Sequence, residues 1–470
     1  MSARFIKFTW AILLPLIFLS LAGCAQLGFR PGREDLNKDR QIALVLPLTG
    51  PHATLAQKIV QGAKCAHQEE AGRGVKVQLV VLDTTKKDWL KRLAALPRNC
   101  AVVGGPLDQT AYKNLKHSNL LNNRVFYPFL SHLDGHDEGV LAYRFFPSAN
   151  DQVESIVDFA QKQLKITSFG AFYPNDNYSQ RMVKAFEQTL NRRHLPLKKA
   201  SYDAQMPGTW AQSAKTLFNP TNGEYGAPTI PTTSFEAVFL PASWKHLDQL
   251  VGSFMASGED RLVLMGTLVW EQSLAGRTVN RPQRFELAIF PGAWNNQVVL
   301  PAAAGKNDFW VSLGYDFVKF ASHLNLDAKP SNIEIVDRSN YAAKFVRSLA
   351  PISFDETGQL HQKLYIYRLS ANGMVRVDPK FFDQLRKTRK ANAAMRYQNV
   401  NPQTSSTVLE GAPSSGSIGE VGLTPSSNTP KLATPKKAKT TTTGILGTVP
   451  QSSHKLRLPT AKPAVAPNEL

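Results

Sequence analysis

Cysteine is scarce in this chain: three residues in 470, at positions 24, 65 and 100. That excludes a disulfide-dense scaffold and a cysteine-rich zinc protein. Long apolar runs are scarce too. Only residues 8–21 are apolar enough to enter a bilayer, at the extreme N-terminus, which excludes a polytopic membrane protein. Acid is in deficit, with 36 Asp and Glu against 55 Lys and Arg and a formal charge of +19. No Gly-x-Ser-x-Gly elbow, His-Glu-x-x-His pair or Walker loop is present, and no repeat at a solenoid period. The chain is therefore read as no enzyme, with no cofactor. The 43% hydrophobic content is a little below the globular average, so part of the chain need not fold. At roughly 100–200 residues per domain, the length suggests two or three domains.

What is present is a long alternation of strand and helix patterns. Residues 41–46 form a short apolar run ending at Pro47, as in a buried parallel strand. A helical pattern covers 53–70. Strands are expected at 75–82, 101–104, 124–129 and 142–146, with a helix over 88–96 and a cap for the next helix at Asp108. The pattern then restarts with a helix at 151–164, a strand at 167–173 and a helix at 178–193. Strands follow at 236–240, 261–265 and 286–290, with helices at 245–257 and 311–324. Residues 364–369 and 374–377 flank Asn372-Gly373 as a hairpin. This alternation argues an α/β fold with parallel sheets flanked by helices, divided into two lobes because about ten strands are too many for one sheet of this class.

Both ends differ from the middle. Arg4 and Lys7 precede the apolar run, which ends in Leu21-Ala22-Gly23-Cys24. Small residues leading into a cysteine resemble the lipobox of bacterial lipoproteins. The resemblance implies a signal peptide at 1–23, cleavage before Cys24, lipidation of its sulfur and, with Ala25 rather than Asp next, the outer membrane over the inner. An uncleaved membrane anchor is the plainer alternative. Residues 24–39 are then a linker. At the other end, residues 386–470 read as a disordered tail. From Ala391 onward it is rich in Ser, Thr, Pro and Lys, with eight basic residues, three acids and one aromatic, Tyr397; such a segment buries too little apolar surface to offset its chain entropy. It is either a solvated tether or a contact to anionic lipid or cell-wall polymer. Export argues against nucleic acid as a partner. In an oxidising compartment Cys65 and Cys100 either form a disulfide or remain two buried thiols.

Residues 42–51 (IALVLPLTGP) resemble the opening strand and turn of type I periplasmic binding proteins. Ala101 to Pro106, Tyr173 to Tyr178 with Ala185-Phe186, Phe235 to Pro241, Leu264 to Gly266, Gly314-Tyr315-Asp316 and Phe354 to Gly358 follow in that family's order. The resemblance covers roughly residues 40–380 and implies a two-lobed fold. It gives lobe 1 at 40–147, lobe 2 at 148–290, a return to lobe 1 at 291–350 and a closing hairpin segment of lobe 2 at 351–385. The chain is expected to cross near Pro147, Pro291 and Pro351. Two branches of the family compete. One holds the penicillin-binding protein activators, outer-membrane lipoproteins that stimulate peptidoglycan synthases. The other holds the substrate-binding receptors of ABC transporters for branched-chain amino acids. The opening strand and the Val238 to Pro241 strand are closer to the first. The helical-repeat domain that precedes this fold in the best-known activator has no counterpart in residues 24–39.

In such sheets ligands bind beyond the carboxyl ends of the strands, in a cleft closed by hinge motion. The candidate rim is Thr49, Gly105, Leu107, Asp108 and Ser131 from the first lobe. From the second it is Asn175, Tyr178, Ser243, Trp244 and Thr267, with Trp294 just past a strand end. Asp108 is either a ligand contact or a helix cap. The cleft holds either a small polar ligand or none, serving protein contact instead. The loop from Ser131 through His132, Asp134, His136, Asp137 and Glu138 collects metal-capable side chains, but at no zinc or calcium spacing, so no metal site is assigned.

Overall fold

The computed structural model describes residues 40–221, 230–274, 282–371 and 373–398. The signal sequence, Cys24, the linker and residues 399–470 lie outside the described residues. Among the described residues no helix is long and apolar enough to cross a membrane.

Lobe 1 begins with β1 (Arg40–Leu46), α1 (Ala53–Gly72), β2 (Val77–Asp83), α2 (Trp89–Ala94), β3 (Val102–Gly104), α3 (Gln109–His117) and β4 (Val125–Tyr127). Its sheet has the order β2-β1-β3-β4, all parallel. Alternation along β1 decides what covers each face. Ile42, Leu44 and Leu46 enter one core cluster, and Ala43 and Val45 enter another. The expected strand at 142–146 is extended chain instead, hydrogen-bonded to the β4 strand and its continuation through Tyr143 N to Phe126 O (2.8 Å) and Phe145 N to Pro128 O (2.9 Å).

Lobe 2 follows with α4 (Ala149–Leu164), β5 (Phe169–Pro174), α5 (Asn177–Arg192), β6 (Leu197–Tyr202), α6 (Trp210–Phe218), β7 (Ala237–Phe239), α7 (Leu247–Met255), β8 (Val263–Met265), α8 (Leu268–Leu274) and β9 (Ala288–Gly292). The chain then returns to lobe 1 as α9 (Phe309–Leu324), α10 (Asn332–Ala342), β10 (Ile352–Phe354) and β11 (Leu360–Gln362). It ends on lobe 2 as β12 (Tyr365–Ser370), β13 (Gly373–Arg376) and α11 (Pro379–Gln398). The second sheet has the order β13-β12-β9-β8-β7-β5-β6, parallel except where β12 runs against both β9 and β13. This is the two-lobed periplasmic-binding architecture.

Helix α9 is the keystone of lobe 1. It is buried nearly all round, at 15 of its 16 residues, as in a helix covered on every side. It meets α1 backbone to backbone. A Cβ on Gly62 would lie 1.9 Å from the Val311 oxygen, and one on Gly314 1.9 Å from the Ile59 oxygen. At the far end of this contact buried Lys319 pairs with Glu70 (2.6 Å) and Glu69 (2.9 Å), and the Tyr315 hydroxyl donates to Glu69.

One open choice is resolved and two expectations are corrected. Cys65 and Cys100 are free thiols, because Cys65 packs with the core on one face of the lobe 1 sheet and Cys100 with the core on the other. Burial raises the thiol pKa of Cys65 and pushes that of Cys100 up to about 11. The last crossing lies beyond Gln362, not near Pro351. Strands β10 and β11 pair with each other, and Phe354 and Leu360 are buried in the lobe 1 core. Residues 386–398, expected as the start of the tail, are the end of α11, which runs to Gln398. Its basic residues meet acids at the entry ends of the lobe 2 strands: Arg389 with Glu286 (3.0 Å), Arg396 with Asp260 (2.6 Å), and Lys390 and Arg386 with Glu236.

Candidate functional site: the cleft rim and the hinge

The carboxyl ends of both parallel sheets carry the candidate rim, and most of its polar groups are already spoken for. Thr49 is exposed and shares a hydrogen bond with Thr85 (2.7 Å), whose hydroxyl donates to Asp83 (2.8 Å). Gly105 adopts a left-handed φ of +88°, with its Cβ position 2.3 Å from the Val45 oxygen, so only glycine fits this turn. Asp108 is the N-cap of α3 and accepts from Ala111 N at 2.8 Å. Leu107 is fully buried in the lobe 1 core. Ser131 is half-buried, and the next carbonyl, of His132, accepts from Gln109 at 2.9 Å.

On lobe 2, Asn175 is exposed and accepts from Gln180 (2.5 Å). The Tyr178 hydroxyl donates to buried Thr267 (3.0 Å), and burial pushes the phenol up to about 12. Ser243 caps the short turn Trp244–His246. Trp244 packs edge-on against Trp270 (5.4 Å) and Phe285 (5.2 Å), and so belongs to the lobe 2 core. In the 131–138 loop, Asp137 pairs with Lys116 (2.8 Å) and Glu138 with Arg144 (3.0 Å), leaving those acids committed as structural partners.

Where the lobes meet, the surface is apolar. Leu268, at the carboxyl end of β8 in lobe 2, is buried in the same contiguous cluster as Leu107, Phe129 and Phe146 of lobe 1. Three cavities, of about 870, 400 and 240 Å³, have no rim residue in their lining. The largest of these three is a groove between α4 and residues 351–353 and 361–366. At the mouth, Arg181 of α5 and Lys113 of α3 are exposed. Burial lowers the His132 pKa, and the nearby Arg181 charge lowers it further.

The connections between lobes are built on buried carboxylates that the sequence reading did not single out. Asp151, in the first turn of α4, completes a capping box with Ser148 and accepts from Gln362 N (3.0 Å). It faces the buried Arg144 guanidinium at 3.3 Å, which also donates to the Leu360 carbonyl (2.7 Å) and to Phe146 O. The first and last crossings are thus tied together through one charge-compensated pair. The middle crossing, residues 293–296, is held otherwise. Glu271 of α8 accepts from Ala293 N (3.1 Å) and Trp294 N (2.9 Å). Trp294 is the one rim candidate found here. Its backbone bridges antiparallel to Leu349, and Asp316 of α9 accepts from Leu349 N (2.7 Å) and Arg347 N (3.1 Å). The Ser148-x-x-Asp151 pattern was a legible cap signal; Glu271 carried none.

Residues 40–207 match the family model described as periplasmic binding protein. No curated protein sequence matches the chain. Among solved structures, the C-domain of LpoA (YraM) from Haemophilus influenzae, a regulator of PBP1A, superposes with a TM-score of 0.50 at 14% identity, covering 72% of this chain and 100% of that one. A longer LpoA chain from the same organism gives 0.51 at 15% identity, covering 73% of this chain and 59% of that one. An ABC transporter substrate-binding protein from Desulfitobacterium hafniense gives 0.51 at 12% identity, covering 72% and 100%. At such identities the likeness is one of fold. The matched segment and the order of the two sheets together show a fold like that of the periplasmic binding proteins.

Proposed function

We propose that this chain is a non-catalytic lipoprotein of the cell envelope. In this reading it is anchored through Cys24, preferentially to the outer membrane, and regulates peptidoglycan synthesis by contacting a penicillin-binding protein. One observation carries the choice over a solute receptor: among the described rim residues most polar groups are paired within the protein, the buried Trp294 indole N–H being the exception. Asp108 caps a helix, Tyr178 and Thr267 satisfy each other, and Leu107 and Leu268 share one buried apolar cluster at the lobe contact. A buried polar group that a ligand is meant to satisfy is costly to leave unmade, and these are made internally. The LpoA likeness supports the same reading, since that protein is described as a regulator of PBP1A.

The test is a thermal-shift screen of the lipid-free mature chain against amino acids, small peptides and muropeptides, beside a pull-down with purified peptidoglycan synthases. Retention of a synthase with a flat ligand screen is the expected result. A ligand at a hundredfold its Kd adds about 2.7 kcal/mol. Such a shift with one small polar solute, and no synthase retained, would overturn the proposal in favour of a receptor serving an ABC permease.

A further inference from the structure

The middle crossing holds a feature that bears on motion rather than on what the cleft takes. Residues 293–296 leave β9 and pair antiparallel with residues 347–350, through Ala350 N to Ala293 O (2.6 Å) and Asn295 N to Ser348 O (2.8 Å). Each member of the pair is fastened to one lobe by a fully buried carboxylate. Glu271 receives one N–H on each oxygen. Asp316 receives both of its N–H groups on Oδ2, and its buried Oδ1 has no hydrogen-bond partner among the described residues. Neither acid has an ion-pair partner among the described residues.

The surrounding charges do not supply compensation. Asp308, paired with Lys58 (2.5 Å), adds a like charge near Glu271. Tyr367 of β12 donates to the Trp294 carbonyl (2.5 Å), and Arg376 of β13 donates to Asn295 (2.9 Å) rather than to Glu271. On lobe 1, Tyr315 beside Asp316 is engaged by Glu69, and Lys319 by Glu69 and Glu70.

We propose that this crossing is a proton-operated hinge, in which ionised Glu271 and Asp316 hold the paired segments taut between the lobes and a proton on Glu271 releases one of its two straps. The chemistry is asymmetric. Either Glu271 oxygen that takes the proton is one that accepts a backbone N–H, so one bond is lost or left on a weak hydroxyl acceptor. A proton on Asp316 goes to the open Oδ1, leaving Oδ2 to accept both N–H groups as a weaker, uncharged acceptor. Burial favours the protonated forms, raising Glu271 to about 8 and Asp316 to about 7 against the pull of their amides, which brings the change into the neutral range.

The experiment is amide hydrogen exchange on the full mature chain at pH 5.5 and 8.5, corrected for intrinsic exchange. Three stretches are followed: 290–297, 345–350 and, as control, 360–364 on the Arg144–Asp151 pair. Protection at 290–297 should fall about tenfold at the lower pH, that at 345–350 less, and the control should hold. E271Q should show the low protection at both pH values. Protection that is flat with pH in the unmodified chain, or that falls equally in the control, would overturn the proposal. That titration needs no variant, so a failure of E271Q to fold leaves it decisive. A solute in the cleft or a protein on its surface leaves the comparison intact.

Discussion

Two clamps join the same two lobes, and they solve one problem in opposite ways. At the outer crossings, Asp151 is buried against Arg144, so the charge that ties Gln362 to α4 is matched within 3.3 Å. At the middle crossing, Glu271 and Asp316 are equally buried and are held by backbone amides, with the Ser348 hydroxyl beside Asp316, and by no cation among the described residues. A buried ion pair is costly to break by removing either partner, because the other is left as an uncompensated buried charge. A buried carboxylate with amide partners only is held in place but sits close to its own titration. The lesson is that a hinge need not be soft everywhere. It can be fixed at its edges and adjustable at its centre.

The largest effect should come from breaking the compensated clamp. R144M leaves Asp151 buried without its cation and also removes the donor to the Leu360 carbonyl. A loss of about 3–5 kcal/mol in denaturant unfolding is expected, with R144M/D151N recovering part of it. If R144M costs no more than a surface substitution, the pair is not the anchor described here.

The second effect concerns the uncompensated acids, and its sign follows from their raised pKa values. Between the ordinary carboxylate range and about 8, folded Glu271 holds a proton that the unfolded chain has released. Stability contributed this way is complete at low pH and is lost as pH rises through the folded value. E271Q should therefore flatten the pH dependence of unfolding free energy between about pH 5 and 8, relative to the parent chain. D316N should do the same over a window ending nearer pH 7 and with a smaller change. An unaltered slope in both variants would mean that neither acid titrates as buried. Local strapping and global stability thus respond to protons in opposite directions, which separates this mechanism from simple acid loosening.

Much of the scaffold was legible because its signals are local. The apolar run at 41–46, the Gly105-Pro106 turn and the restart after Ser148 each declared an element from neighbouring residues. What escaped depends on contacts distant in sequence. Strand β6 reads as polar because it is an edge strand with Lys198 and Lys199 facing solvent. Helix α11 looked like the start of a tail because its basic residues find their acids only at Glu236, Asp260 and Glu286. The pairing of Cys65 with Cys100 fails on a parity that no composition reveals: they lie on opposite faces of one sheet. Glu271 is unremarked in sequence, since its hydrogen-bond donors are the amides of Ala293 and Trp294, more than twenty positions away. The rim was placed by topology at the strand ends, but which of its groups remain available is a matter of partners, and Tyr178 of α5 and Thr267 after β8 find each other from segments 89 residues apart.

The smallest expected effect is the most discriminating for the cleft. Asp108 accepts from Ala111 N, and that bond needs an oxygen, not a charge. D108N keeps a good cap and should change stability by a few tenths of a kcal/mol, while D108A should cost about 1 kcal/mol. If the carboxylate instead holds the ammonium group of a ligand, D108N and D108A would abolish solute binding alike, although only the second weakens the helix. Measuring both variants for stability and for synthase retention separates the two roles. The reading advanced here expects retention to be equal in D108N and the parent chain, because a residue whose work is to start α3 contributes shape to the surface and no charge to a ligand.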